Sequence, residues 1–210
     1  MKYKTILFDL DGTLTDPQEG ICKCINHALG YYGMEKPHNE LTQFIGPPLL
    51  NSFAGMVGTE NAQQAVVYYR ERFSTVGLYE NEVYPGVDET LAALKEKGYV
   101  LCTASSKPEI FVKKILEHFN LAHYFDFIGG ASLNDNRGEK HEVIDYVLKE
   151  INADKTSTVM VGDTKFDLIG AQEMNLDAIG VTYGFGPREE LEKYPHIALI
   201  DKIEEILDIL

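Results

Sequence analysis

Apolar and polar positions along the chain form two alternating patterns. Short apolar runs, several rich in β-branched residues, occur at residues 4–9, 100–104, 126–129, 158–161, 177–181 and 198–200. Runs of this length are typical of buried strands. Between them, apolar residues recur three or four positions apart, as on one face of a helix. They are Val87, Leu91 and Leu94; Phe111, Ile115 and Phe119; Val143, Ile144, Val147 and Leu148; and Ile203, Ile206, Leu207 and Leu210.

Strands that alternate with helices imply parallel strands joined by right-handed crossovers. The pattern therefore predicts an α/β fold with a Rossmann-like, doubly wound parallel sheet. The alternation stops between residues 15 and 83, where apolar residues follow helical stripes over residues 21–32 and 60–73. A turn at Tyr84, Pro85 and Gly86 ends this stretch. We expect a helical cap, residues 15–83, inserted into an α/β core made of residues 1–14 and 84–210.

Composition and charge narrow the class of protein. The 210 residues are 44% hydrophobic and 25% charged, which is ordinary for a globular protein. The formal net charge of −14 argues against a nucleic acid polymer as partner. An acidic protein that handles phosphate needs a local positive charge, such as a divalent cation with one or two lysines. No apolar run is long enough for a signal peptide or a membrane span, and the three cysteines suit a reducing cytoplasm.

Two aspartates, Asp9 and Asp11, come at the carboxyl end of the first predicted strand. Open α/β sheets bind ligands at that edge, and residues two apart on a strand point the same way. Gly12 permits an immediate turn, and the Thr13 hydroxyl can bond locally to fix a carboxylate. An isolated Asp-x-Asp is more often a polar loop that closes a strand. Here the longer string FDLDGTLTD carries more information.

FDLDGTLTD resembles the first signature of the haloacid dehalogenase superfamily, and the other signatures follow in the family's order. Ser105, in ASSKP, resembles the serine or threonine that hydrogen-bonds phosphate, and Ser106 beside it is a further candidate. Lys140, in RGEKHEVI, resembles the third-signature lysine. Asp163 and Asp167, in GDTKFD, resemble the fourth signature.

Two positions have competitors. Thr103 lies two residues before Ser105, but it falls inside the predicted strand and is better explained as a buried β-branched residue. Many relatives carry Pro after the third-signature lysine, whereas this chain has His141, so Lys107 is an alternative phosphate lysine to Lys140.

The resemblance implies a chemistry for these residues. Asp9 would be the nucleophile that forms an aspartyl phosphate, and Asp11 the acid and then base, with Gly12, Thr13, Ser105, Ser106 and Lys140 on the phosphate. Asp9, Asp163 and a main-chain oxygen of Asp11 would form an oxygen-only metal site, which suits Mg²⁺. Asp167 would orient Lys140 or a metal-bound water. The family's dehalogenases lack the second aspartate, so Asp11 favours a phosphatase or phosphomutase.

The predicted cap contains FIGPPL, residues 44–49, which resembles the specificity segment of the phosphoglycolate phosphatase and bacterial 5′-nucleotidase-like branch. Gly46 and Pro47 would then contact substrate; a rigid turn between helices explains them equally well. A predicted helix of the cap carries two tyrosines and two arginines: Tyr68, Tyr69, Arg70 and Arg72. Either these side chains contact substrate, or one side of the helix packs in the core and the other faces solvent.

Three functions compete at this stage. They are a phosphatase for a small phosphorylated metabolite, such as a nucleoside 5′-monophosphate or phosphoglycolate, a sugar phosphomutase, and a non-catalytic module on the same fold. The first is the prediction. The third is disfavoured because all the acidic groups are present, and we expect a cytoplasmic monomer or homodimer without membrane partners.

Overall fold

The structure is a computed structural model that describes residues 2–133 and 137–210. Its contacts divide the chain into two compact units. Unit 1 comprises Met1–Thr15 and Val83–Leu210, and unit 2 comprises Asp16–Glu82. The chain thus passes from unit 1 into unit 2 directly after the loop that carries the first aspartates, and returns immediately before Tyr84.

The strands of three or more residues follow the apolar runs closely. In chain order they are β1 Thr5–Phe8, β2 Thr15–Asp16, β3 Glu82–Val83, β4 Val100–Pro108, β5 Phe127–Ala131, β6 Thr158–Gly162, β7 Asp177–Val181 and β8 Ala198–Ile200. The main sheet is parallel and has the order β5-β4-β1-β6-β7-β8. The predicted doubly wound α/β fold is therefore confirmed. A second sheet has two strands, β2 and β3.

The α-helices in chain order are α1 Gln18–Gly30, α2 His38–Leu41, α3 Leu49–Val57, α4 Thr59–Phe73, α5 Val87–Glu96, α6 Glu109–His118, α7 Lys140–Glu150, α8 Lys165–Glu173, α9 Arg188–Leu191 and α10 Ile206–Ile209. Short 3₁₀ helices occupy Thr42–Phe44, Gly77–Tyr79, Ala122–Tyr124, Lys155–Ser157 and Ile203–Glu205. The last of these precedes α10, so the predicted C-terminal helix is a 3₁₀ turn followed by one α-helical turn.

The core of unit 1 forms because strands and helices bury their apolar faces together. Leu7 of β1 and Met160 of β6 pack with Ile144 and Val147 of α7 and with Leu168 of α8. These five side chains are fully buried. Burial of a side chain of this size contributes about 1.5–3 kcal/mol relative to exposure. The packing fixes the positions of the strand ends, and with them the residues that follow each strand.

Strand β1 lies between β4 and β6, and the direction of chain progression reverses beside it. From β1 the chain proceeds outward through β4 and β5, then returns to β6 on the other side and proceeds through β7 and β8. In open α/β sheets, such a reversal opens a crevice beyond the carboxyl ends of the strands. Asp9 and Asp163, which directly follow β1 and β6, lie at this edge.

Strand β4 is longer than the sequence predicts. We expected it to end at Ala104, but pairing continues through Ser105 opposite Gly130 and resumes at Pro108 opposite Ala131, with an irregular register between them. A side chain at Gly130 would place its Cβ 2.6 Å from the Lys107 carbonyl oxygen. The glycine therefore permits the close approach that extends the strand, and Ser105 lies within β4 instead of after it.

Unit 2 is helical, with α1, α3 and α4 packed around Leu29, Phe53 and Tyr69. A bidentate ion pair lies beside this core: Arg72 of α4 donates to both carboxylate oxygens of Glu80, at 2.6 and 3.0 Å. Lys23 of α1 joins it at 3.0 Å. This pair ties the last part of unit 2 to its first and longest helices.

No helix within the described residues is long and apolar enough to cross a membrane. Cys22, Cys24 and Cys102 are all buried free thiols.

Candidate active site

The loop after β1 brings Asp9 and Asp11 to the crevice. The Asp9 amide donates to the carbonyl of Val161 on β6 at 2.9 Å, and the loop closes through bonds from Thr13, Leu14 and Thr15 to the Leu10 carbonyl. Gly12 has a positive φ of 82°, and a Cβ there would lie 2.0 Å from a carboxylate oxygen of Asp163. Only glycine permits both the turn and the approach of Asp163.

The backbone amides of Gly12 and Thr13 bond to carbonyls of the same loop. The Gly12 amide donates to the Thr15 carbonyl at 2.8 Å, and the Thr13 amide donates to Leu10 at 3.2 Å. The Thr13 hydroxyl is buried without a hydrogen-bond partner among the described residues, so the expected bond to a carboxylate is not formed. The phosphate-binding role of Gly12 and Thr13 stays a prediction.

Asp163 and Asp167 are positioned by the end of β6 and the first turn of α8. Asp167 forms a capping box with Thr164, because its Oδ2 accepts from the Thr164 amide at 3.0 Å and from the hydroxyl at 2.8 Å. A Cβ at Gly162 would lie 2.2 Å from the Asp167 carboxyl carbon. This helix-capping interaction uses Oδ2 and leaves the other oxygen of Asp167, Oδ1, for other groups. Asp163 and Asp167 are both fully buried.

Lys140 is the first residue of α7 and its ammonium group reaches the centre of the site. The Nζ atom lies 3.0 Å from Asp9 Oδ1 and 2.7 Å from Asp167 Oδ1, and donates to the Ala104 carbonyl at 2.9 Å. Gly170 makes room for the stem, because a Cβ there would lie 2.6 Å from Lys140 Cγ. Burial alone would lower the pKa of Lys140, but the carboxylates of Asp167 and Asp9 outweigh it and raise that pKa.

Lys107 takes a different partner. Its Nζ atom lies 2.6 Å from Asp11 Oδ2, and both side chains are largely buried. Burial raises the pKa of the Asp11 carboxyl, and the Lys107 charge opposes that rise. The structure therefore brings both lysines to the site, one beside each first-strand aspartate.

The carboxylates of Asp9, Asp163 and Asp167 form a cluster in which one oxygen from each lies within 4.8 Å of the others. Burial, followed by the charges of Asp167 and Asp9, raises the pKa of Asp163 well above its ordinary value. Burial also raises the pKa of Asp167, against the effect of Lys140.

Mg²⁺ fits this cluster on two grounds. With Asp11 included, four carboxylates face two ammonium groups, so negative charge is in excess. Asp163 Oδ1 is also buried without a hydrogen-bond partner among the described residues. Buried carboxylate oxygens in this arrangement suit a hard divalent cation.

The hydroxyl groups of Thr103 and Ser105 have different hydrogen-bond partners. The Thr103 hydroxyl donates to the Gly129 carbonyl of β5 at 2.8 Å and is fully buried in the sheet. The Ser105 hydroxyl accepts a 3.3 Å bond from the Lys107 amide, near the end of the strand. Ser106, next to it, is only partly buried. This favours Ser105 over Thr103 as the phosphate contact, which stays a prediction.

The predicted cap residues belong to unit 2. Gly46, with a positive φ of 102°, and Pro47 form the turn between the 3₁₀ helix Thr42–Phe44 and α3. Tyr69 packs on Phe53 and Phe73, and Arg72 is paired with Glu80. Tyr69 is therefore a core residue, and Arg72 is a partly buried ion-pair partner. A substrate contact at Gly46 and Pro47 stays a prediction.

One segment of this site was not among the residues predicted from the sequence. Residues 182–186, TYGFG, follow β7, and the Phe185 amide donates to Asp163 Oδ2 at 2.8 Å. The available signal was a pair of glycines two apart after a buried strand, a pattern that marks close backbone approach.

Comparison with known proteins agrees with this geometry. Residues 6–181 match the haloacid dehalogenase-like hydrolase family. A 5′-nucleotidase of Pseudomonas aeruginosa is 43% identical over 197 residues, covering 92% of this chain and 89% of the relative. The tyrosine-protein kinase PtkA of Mycobacterium tuberculosis is 35% identical over 210 residues, covering 97% and 72%. A crystal structure of a predicted phosphatase from Clostridium acetobutylicum superposes with a TM-score of 0.94 at 42% identity, covering 100% and 98%.

These matches confirm the predicted resemblance and the predicted enzyme class, a phosphoric monoester hydrolase. They cover the α/β core, including β1 through β7 and the four aspartates described above. The chain belongs to the haloacid dehalogenase-like hydrolase family.

Proposed function

We propose that this enzyme is an Mg²⁺-dependent phosphatase that hydrolyses a small phosphate monoester, with a nucleoside 5′-monophosphate as the leading substrate class. One observation carries the proposal: at the crevice of the sheet, oxygens of three carboxylates lie within 4.8 Å of one another, and Lys140 lies within 3.0 Å of two of them. The 5′-nucleotidase name of the 43% identical relative supports the choice of substrate class. Phosphoglycolate is the second candidate, on the resemblance of residues 44–49.

In this mechanism Asp9 is the nucleophile. A carboxylate oxygen of Asp9 attacks phosphorus in line, the bond from phosphorus to the ester oxygen breaks, and an aspartyl phosphate forms. Lys140 lies against Asp9, so its charge offsets the repulsion between the carboxylate and the incoming phosphate. Asp167 holds the ammonium group from the other side at 2.7 Å, which fixes its direction.

Asp11 moves the protons. It donates one to the departing alkoxide, and it then removes one from the water whose oxygen attacks phosphorus and releases Asp9. Burial raises the pKa of Asp11, which favours the protonated acid needed for the first step. Lys107, at 2.6 Å, holds the carboxyl group in place and balances its charge in the second step.

Asp9, Asp163 and a main-chain oxygen of Asp11 would hold the Mg²⁺, with Asp167 beside them. When bound, the ion supplies positive charge that lets an anionic phosphate enter a site lined by carboxylates. Ser105 is the proposed hydroxyl contact to the phosphate, together with Ser106 and the loop at Gly12 and Thr13.

The test is a panel of monoesters assayed with Mg²⁺ for released phosphate and for isomerised product. The panel holds nucleoside 5′-monophosphates, phosphoglycolate, glucose 1-phosphate and phosphotyrosine, with Asp9→Asn protein as the blank. We expect phosphate release, the highest kcat/KM on a 5′-mononucleotide, and loss of turnover in EDTA that Mg²⁺ restores. A sugar isomer without free phosphate would indicate a phosphomutase. Full activity after EDTA treatment would contradict the metal assignment. A higher kcat/KM on phosphoglycolate than on any 5′-mononucleotide would contradict the proposed substrate class.

A further inference from the structure

The segment of residues 182–186, called here the Tyr183 loop, connects β7 to α9 and touches the site at three points. The first is a hydrogen bond from the Tyr183 hydroxyl to the Thr13 carbonyl, at 2.8 Å. Thr13 lies in the same loop as Asp9 and Asp11, so this bond reaches the loop from a strand two places away in the sheet. Tyr183 and Thr13 are 170 residues apart in the chain, so only the tertiary fold brings them into contact.

The second point is a hydrogen bond to Asp163, and the third is close backbone packing against Gly12 and Asp163. The Phe185 amide donates to Asp163 Oδ2 at 2.8 Å, which leaves Oδ1 for another partner. A Cβ at Gly184 would lie 2.3 Å from the Gly12 carbonyl oxygen and 2.4 Å from Asp163 Cβ, and one at Gly186 would lie 2.1 Å from the Asp163 carbonyl. Real Cβ contacts are not this short, so both positions require glycine for the backbone to lie against Gly12 and Asp163.

The surroundings of Tyr183 suit a fixed donor. Its ring packs edge-on against Tyr84, with centroids 4.9 Å apart. Burial raises the pKa of the phenol, so the hydroxyl keeps its proton at neutral pH. Tyr84 in turn donates its amide to the Leu14 carbonyl at 3.1 Å. The carbonyls of Thr13 and Leu14, consecutive in the chain, are therefore each held by one of two packed tyrosines.

We propose that the Tyr183 loop is a positioning element that fixes the Asp9–Asp11 loop and the Asp163 carboxylate relative to each other. Asp9 follows β1 and Asp163 follows β6, and each side chain needs the correct distance from the other to serve one reacting phosphate. Displacements near 1 Å can lower turnover by about 100-fold, so a contact that spans both groups matters for rate. The kinetic test of this proposal rests on the proposed function, because it needs an active phosphatase. The test by Mg²⁺ binding does not need phosphatase activity.

Tyr183→Phe removes the bond to Thr13 and keeps the ring. The matched control is Tyr99→Phe, because the Tyr99 hydroxyl also donates to a main-chain oxygen, that of Leu210, at 2.7 Å. A purely structural role predicts similar falls in melting temperature and no difference in kcat. We expect similar falls in melting temperature, but a kcat reduced about 5- to 30-fold in Tyr183→Phe alone, on every monoester and with little change in KM.

A second pair of variants tests Asp163 without turnover. Gly184→Ala forces a methyl group between Gly12 and Asp163, and its control is Gly30→Ala, where nothing lies within 4 Å of the added carbon. Titration calorimetry with Mg²⁺ should show binding at least about 10-fold weaker in Gly184→Ala than in Gly30→Ala. Circular dichroism verifies that each variant is folded.

The outcomes separate the two proposals. If the wild-type protein hydrolyses no monoester, the proposed function fails, and calorimetry still decides the role of the Tyr183 loop. Equal kcat in the two tyrosine variants of an active enzyme, or equal Mg²⁺ affinity in the two folded glycine variants, overturns the positioning role. Should Gly184→Ala not fold, the kinetic comparison of the tyrosine variants decides it.

Discussion

The ammonium group of Lys140 lies 2.7 Å from the carboxylate of Asp167, and both side chains are almost completely buried. Removal of one partner from a buried pair leaves the other charge uncompensated, which costs about 3–5 kcal/mol. The site already holds more carboxylates than ammonium groups, so Lys140 offsets more than one negative charge. The stability of the fold and the chemistry of the site therefore depend on the same atom.

We predict that Lys140→Met lowers kcat/KM by at least about 100-fold on every monoester and, in EDTA, lowers the free energy of unfolding by about 3 kcal/mol. Adding Asp167→Asn should recover part of the stability and none of the activity. Lys149→Met is the control, because Lys149 pairs with Asp145 on the exposed side of the same helix. Denaturant unfolding and steady-state kinetics test this, and an unchanged stability in Lys140→Met contradicts it.

Asp9 and Asp11 should give different kinetic signatures, since one forms the covalent bond and the other moves the proton. Asp9→Asn should abolish turnover and binding of the phosphoryl analogue BeF₃⁻. Asp11→Asn should reduce turnover by about 100-fold or more while BeF₃⁻ still binds, because the nucleophile remains. Fluorine NMR of the BeF₃⁻ complex is the measurement. Binding retained in Asp9→Asn and lost in Asp11→Asn would reverse the two roles.

Residues 44–49 should affect the choice of substrate and not the chemistry. Pro47→Ala should change the order of kcat/KM among large monoesters and leave p-nitrophenyl phosphate nearly unaffected, because contacts to a leaving group decide which substrate is held. Pro37→Ala, before α2 in the same unit, controls for a general effect on folding. If Pro47→Ala lowers kcat/KM for all substrates equally, the segment acts through folding, and the substrate class inferred from it loses its support.

The ion pair of Arg72 and Glu80 predicts a pH dependence of stability. Hydrogen bonds from Arg72, and then from Lys23, lower the pKa of Glu80 from 4.5 to about 2. A carboxyl group whose pKa is lower in the folded state stabilises that state above pH 4.5, and loses this contribution as the pH falls toward 2. Glu80→Gln should therefore be less stable than the wild type by about 2 kcal/mol at pH 7.

The difference between Glu80→Gln and the wild type should shrink steadily between pH 4.5 and about 2, where the wild-type carboxyl is itself protonated. Thermal unfolding across this range provides the measurement. Glu71→Gln, an exposed change on the same helix as Arg72, is the control. A stability difference that is constant with pH would mean that Glu80 contributes through packing and not through its charge.

Local pattern was sufficient for much of the fold and for the types of residue at the site. Apolar runs and helical stripes arise from the side-chain periods of strands and helices, so they identify most elements directly. Strand β4 is one exception, because its last residues, Ser105 to Pro108, pair only where Gly130 of another strand lets the backbone approach. Their own sequence gives no signal for that pairing.

The sequence by itself determined the alternating α/β core, the helical insertion and the family signatures at Asp9, Asp11, Asp163 and Asp167, since these depend on residues close together in the chain. Only the tertiary structure decided the partners: Lys140 between Asp9 and Asp167, Lys107 beside Asp11, and Tyr183 on the Thr13 carbonyl. Each partner comes from a different part of the chain and lies tens of residues or more from its contact. Such pairs are fixed by the order and packing of the strands, which no local spacing encodes.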